Sequence, residues 1–192
     1  MGYLYLIRHA ETALNASRTV QWPNTPLSRH GRWQARRLGS RLRDTGLTQI
    51  ISSDYLRAQT TAEQIKSTSE AGLTLDSRLR ERDLGELRGL PYAAVNARLS
   101  SNTFVPNGGE SLSTFHARVS NMWAFIRTEI PKTKGSLAIV THGFVCMALV
   151  NQHLQFETEK EHSITFANAS VTIVDTHAPW RVHVLACENH LS

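Results

Sequence analysis

Residues 3–7, YLYLI, form an unbroken apolar run that stops at the pair Arg8-His9. A run without polar alternation predicts a strand covered on both faces, as in a parallel sheet, with its carboxyl end at Arg8. The pattern returns at residues 137–140, which stop at Thr141-His142-Gly143 and lead into an apolar helix reaching about Leu154.

Between these runs the period changes. Ser28 is a plausible N-cap for a helix whose stripe of Trp33 or Ala35, Leu38 and Leu42 closes at Gly46. Residues 49–51 read as the second strand, Asp54 as the cap of a helix to about Lys66, and residues 73–75 as a short strand. Residues 78–89, RLRERDLGELRG, are too charged and irregular for core and predict a surface loop, after which Pro91 can begin a short helix. Ser111 caps a longer helix in which Leu112, Phe115, Val119, Trp123, Ile126 and Ile130 keep the 3.6-residue period. Residues 171–174 and 181–185 are β-branched runs around a Pro-containing turn and predict a terminal hairpin or edge pair.

Strands alternating with helices imply an α/β protein of three layers, a mostly parallel sheet with helices on both faces. Ligands of such sheets bind beyond the carboxyl ends of the strands. If the two apolar runs are neighbouring strands, Arg8-His9 and His142 reach the same edge.

The chain's 192 residues suit one domain, residues 1–192, and its 41% hydrophobic and 19% charged content is that of a globular protein. A net charge of +5 fits either nucleic acid or a small anion. Much of it falls on Arg29, Arg32, Arg36, Arg37, Arg41 and Arg43, spread around one predicted helix without an aromatic platform, which reads as a solvated face. No nucleic-acid partner is expected. The absence of an apolar run of ~18 residues, and of a basic leader before an apolar segment, predicts a soluble cytoplasmic protein without membrane association. Cys146 and Cys187 lie in different predicted elements, form no metal-ligand spacing, and are expected to be buried thiols. No histidine shows HxH or HExxH spacing, so no metal is expected.

Arginine presents a planar fork that matches phosphate oxygens, so Arg8 and Arg57 are candidate anion ligands. A neutral imidazole beside them is a potential nucleophile toward phosphorus, and neighbouring cations disfavour its protonation. Phosphoryl transfer needs charge around three equatorial oxygens, which two arginines and one cationic histidine would supply. Glu81 is a candidate proton donor to the leaving group if its surroundings keep it protonated, although Asp83 and Glu86 share its loop.

The ordered segments LIRHAETALN, LSRHGRWQA, SSDYLRAQTTA, LRERDLGELRG, GGES and VTHG resemble those of the histidine phosphatase superfamily, also called phosphoglycerate-mutase-like, over most of the chain. The resemblance implies that His9 is the phosphorylated nucleophile. It implies that Arg8, Arg57 and His142 grip the phosphoryl group, and that Glu81 protonates the leaving oxygen and then activates water. Asn15 would add a hydrogen bond to the phosphate, Gln21 would lie at the substrate, and neither metal nor cofactor is needed. The expected activity is metal-independent hydrolysis of a small phosphorylated metabolite. The alternatives are a phosphoglycerate-mutase-type phosphotransferase and a non-catalytic phosphate-binding scaffold on the same fold. Departures at Ala10, Gln21, Asn24, Thr60, Arg88 and Phe144 leave the substrate open, as is the oligomeric state.

Overall fold

The computed structural model describes residues 2–101, 103–156 and 164–192. Among these, a six-stranded sheet is built from β1 (Leu4–Arg8), β2 (Leu47–Ser52), β3 (Gly72–Leu75), β4 (Ser136–Thr141), β5 (Val171–Val174) and β6 (Val182–Cys187), in the order β3-β2-β4-β1-β5-β6. The pairs β3/β2, β2/β4 and β4/β1 are parallel, whereas β5 runs antiparallel to β1 and β6 antiparallel to β5. The helices are α1 (Ala13–Ala16), α2 (Arg29–Leu42), α3 (Leu56–Lys66), α4 (Tyr92–Leu99), α5 (Leu112–Glu129) and α6 (Gly143–His153).

The lack of polar alternation in β1 follows from burial on both sides. Leu4 and Leu6 join one core with Phe115, Val119 and Ile126 of α5 and Val145 and Leu149 of α6. Tyr5 and Ile7 point the other way, into a core with Ala35 and Leu38 of α2 and Ala58, Ala62 and Ile65 of α3. β4 repeats this, with Leu137 and Ile139 in the first core and Ala138 and Val140 in the second. Three layers result, and the central pair β1/β4 is covered above and below.

Caps set where the helices begin. Ser28 and Ser111 accept hydrogen bonds from Gly31 N and Thr114 N, the N-cap arrangement expected of these residues. Gly31 is required by proximity rather than by its backbone angle, because a Cβ there would lie 1.9 Å from the Glu11 carbonyl oxygen. The start of α2 is thereby held against the chain that leaves β1.

Three expectations need correction. Asp54 does not cap α3, whose N-cap is Tyr55 without a side-chain bond; the Asp54 carboxylate instead pairs with Arg80, with Nε donating to Oδ1 at 2.7 Å. The strong bidentate partner outcompetes the helix terminus. The charged stretch 78–89 is not a simple surface loop, since Leu79, Leu84 and Leu87 are buried and two short 3₁₀ turns, Ser77–Leu79 and Gly85–Leu87, shape it. The terminal pair expected at the edge is present, with β6 antiparallel to β5 and β5 joined to the sheet through β1. Cys146 is buried, but Cys187 is only partly so and accepts a hydrogen bond from Arg41.

Candidate active site

Register brings the two polar stops together. Arg8 pairs with Thr141 across β1/β4, and His9 N donates to Thr141 O at 2.8 Å. Both chains then leave the sheet at the same edge, with the His9 and His142 ring centroids 5.1 Å apart.

The partners of each imidazole bear on its tautomer, and for His9 they fix it. His9 Nδ1 lies 2.7 Å from the Ala10 carbonyl, which only accepts, so Nδ1 carries the proton. Nε2 keeps its lone pair and accepts from Arg57 Nε at 3.3 Å. His142 Nε2 lies 2.9 Å from Ser53 Oγ, which also accepts from Tyr55 N; when the hydroxyl proton is directed at Nε2, the His142 proton sits on Nδ1. That buried Nδ1–H has no partner among the described residues, and neither has the buried Nε of Arg8. Two buried nitrogens at this end of the sheet are thus left without a partner among these residues.

Burial, then the charges of Arg57 and Arg8, hold His9 well below the ordinary histidine pKa. For His142 the causes are burial and then Arg57, with His9 and Arg8 adding to them. The cationic second histidine expected from the sequence is therefore corrected: in the free site His142 is a neutral donor. The positive charge comes from the arginines. Arg57 projects from the first turn of α3 and is only 2% exposed; it donates through Nη1 to Trp22 O at 3.0 Å and is lowered by burial to about 10. Arg8 is anchored by donation from Nη1 to the Phe166 carbonyl.

Glu81 is brought to the same centre by the 3₁₀ turn that precedes it, which Thr141 ties to β4 through a bond to Leu79 O at 2.7 Å. Its Oε2 accepts from Phe144 N, in the first turn of α6, at 3.3 Å, and Oε1 from Arg82 N at 3.1 Å. Burial raises its pKa and outweighs the bonds and arginines that lower it. Its loop neighbours are otherwise engaged: Asp83 pairs with Arg88 at 2.6 Å, and Glu86 is exposed.

Asn15 and Gln21 reach the rim. Asn15 Nδ2 donates to Tyr92 Oη at 3.3 Å, and its Oδ1 accepts from Asn168 Nδ2 at 3.2 Å. Gln21 Oε1 accepts from Thr12 Oγ1 at 2.7 Å. Together with Arg8, His9, Arg57 and Glu81, both line a cavity of about 560 Å³, with His142 fully buried beside it. Sequence reasoning missed Ser53, which bears on the His142 tautomer, and Asn168, which also donates to His9 O at 3.0 Å. Ser53 stands inside SSDYLRAQTTA and had a positional signal; Asn168 lies far along the chain with none.

Among the described residues no group of three or more His, Cys, Asp or Glu side chains is arranged to hold a metal, and no helix is long and apolar enough to cross a membrane.

Comparison with known proteins gives a concordant picture. A family profile of the histidine phosphatase superfamily (branch 1) matches residues 4–187. The "Probable phosphoglycerate mutase GpmB" of Salmonella paratyphi B is 35% identical over 188 residues, covering 91% of this chain and 85% of that one. Among solved structures, a mycobacterial glucosyl-3-phosphoglycerate phosphatase in complex with VO3 superposes with a TM-score of 0.82 at 28% identity, covering 98% of this chain and 100% of that one. YhfR of Bacillus stearothermophilus gives 0.83 at 27% identity over the whole of both chains.

Proposed function

The chain belongs to the histidine phosphatase superfamily, and from that premise we propose that it is a phosphomonoesterase working through a phosphohistidine at His9. The observation that carries this reading is the Nε2 lone pair of a buried, neutral His9, placed beside Arg57 and next to a Glu81 whose pKa is raised.

In the first step Nε2 attacks phosphorus, the bond from phosphorus to the ester oxygen breaks, and Glu81 gives its proton to the departing alcohol. Arg8, Arg57 and the Nδ1–H of His142 hold the three equatorial oxygens as charge builds there. In the second step the Glu81 carboxylate takes a proton from water, the hydroxide attacks the phosphohistidine, and inorganic phosphate leaves with His9 restored. Asn15 and Gln21 border the bound ester. Neither step uses a metal.

A mutase reading is supported by the name of the Salmonella relative, since a mutase shares the first step and then returns the phosphoryl group to a product. Hydrolysis is favoured because the intermediate must be shielded from water in a mutase, and Phe144 and Met147, which line the cavity, are each 37% solvent-exposed. A phosphate-binding scaffold would need no proton donor, which leaves the raised Glu81 without a purpose.

The test is turnover of p-nitrophenyl phosphate and a metabolite panel in chelator, with His9→Ala as control. Loss of turnover in the variant, with acid-labile phosphate trapped only on the parent, supports the proposal. Equal turnover by both proteins defeats it. Isomerisation of 3-phosphoglycerate that outpaces hydrolysis, and needs a bisphosphorylated primer, selects the mutase.

A further inference from the structure

Beyond the polar floor the cavity changes character. Val95 and Leu99 face it from α4, Val20 and Leu84 from the chain before that helix, and Phe144 and Met147 from α6. The α6 pair is informative. This helix already buries Val145, Cys146, Ala148, Leu149 and Val150, which satisfies its packing against the sheet. Phe144 and Met147 stand three positions apart, share a different face, and leave more than a third of their surface in water. Large apolar side chains held open inside a concave site are ligand surface rather than core.

Resting on the phosphatase reading above, we infer that the alcohol esterified to the phosphate is a bulky apolar body, such as an aromatic ring system, rather than a short carboxylate or a polyol. The polyol is the poorer match because its hydroxyls, once desolvated, need partners that these six side chains lack, leaving Tyr92, Asn96 and Thr165 of the lining to supply them. A short carboxylate would look to the cations on the cavity. Arg88 is committed to Asp83. Arg18 is exposed to water, and Arg82 is nearly buried with an Nε that has no partner among the described residues. These two arginines, with Tyr92, Asn96 and Thr165, are the competing attraction, and the experiment sets them against the apolar wall.

Phosphonates, in which carbon replaces the bridging ester oxygen, report binding without turnover. Methylphosphonate, benzylphosphonate, 1-naphthylmethylphosphonate and 3-phosphonopropionate are titrated into the full chain by calorimetry. Kd should fall about tenfold from methyl to benzyl and again to naphthylmethyl, the part of the ring-burial energy that survives ordering of the ligand. Met147→Ala and Phe144→Ala should each shrink the naphthylmethyl-to-methyl affinity ratio several-fold. Met147 is exposed, so its truncation leaves the fold intact. Equal affinities across the series overturn the inference, as does tighter binding of 3-phosphonopropionate than of 1-naphthylmethylphosphonate. Turnover is read separately with 1-naphthyl phosphate. Affinity that follows ring size without hydrolysis supports the wall and overturns the phosphatase reading alone.

Discussion

Replacing Arg57 by methionine should make the protein more stable and nearly inactive. Arg57 is 2% exposed and among the described residues no carboxylate pairs with it directly; burial is the main reason its pKa falls from 12.5 to about 10. At about 1.4 kcal/mol per unit, holding the cation in the fold costs on the order of 3 kcal/mol. Because the folded-state value is the lower one, this cost is present in full below about pH 10. Methionine fills a similar unbranched volume without charge. Against the gain stand the bonds to Trp22 O and to His9 Nε2, about 1 kcal/mol each, and the cation–π contact with Tyr55 at 5.1 Å, roughly another 0.5–1 kcal/mol. A net gain of about 0.5 kcal/mol corresponds to a Tm higher by about 1–2 °C in a chain of this size. Turnover should fall about 10²–10³-fold through loss of one preorganised donor. Phosphate supplies the second readout. At a hundred times its Kd it should stabilise the parent by about 2.7 kcal/mol, while at the same concentration the weaker-binding variant gains far less. Thermal melts at pH 7, with and without phosphate, measure both effects. A variant that melts below the parent, or retains most of its turnover, refutes the reasoning that Arg57 is held at a cost to the fold in order to meet an anion.

Two further outcomes follow from the same electrostatics. Glu81 must be protonated to act as an acid and its pKa is raised above 4.5, so kcat/KM should decline as pH rises through that higher value, and Glu81→Gln should remove this limb from the pH profile. On the acid side His9 and His142 refuse protons that their unfolded forms accept near 6.5, so global stability, followed by urea melts, should fall as pH drops below about 6.5. Ser53→Ala deprives His142 Nε2 of its donor and frees the ring to change tautomer. Phosphate affinity, read as inhibition of p-nitrophenyl phosphate hydrolysis, should weaken about five- to tenfold, with the melting temperature little changed.

The sheet was largely legible because burial on both faces leaves a simple trace. The runs 4–8 and 136–141 lack polar alternation, and their polar stops mark the edge where the strands end. Ser28 and Ser111 were readable as caps because each is followed by a strong helical stripe. Asp54 misled for a physical reason: a carboxylate is equally suited to a helix terminus and to an arginine fork, and the nearby Arg80 is invisible at 26 positions' distance along the chain. The charged segment 78–89 misled in the opposite sense. Most of its charges are paired or turned outward, while Leu79, Leu84 and Leu87, with Glu81 and Arg82, carry it inward, and no periodicity announces leucines on and beside 3₁₀ turns. Within the candidate site, residue types at strand ends drew attention to Arg8, His9 and His142. Nothing local distinguished Asn168, whose contacts with His9 O and Asn15 exist only through the return of the chain to β5.

Val20, Leu84 and Val95 belong to a small cluster with Leu87 that is separate from both sheet-face cores. The consequence is evolutionary. Exchanging the segment around residues 84–99 would leave the central strands and their histidine tips in place and meet the candidate site chiefly through Tyr92 at Asn15, so a lineage could reshape the outer cavity by swapping a minor appendage.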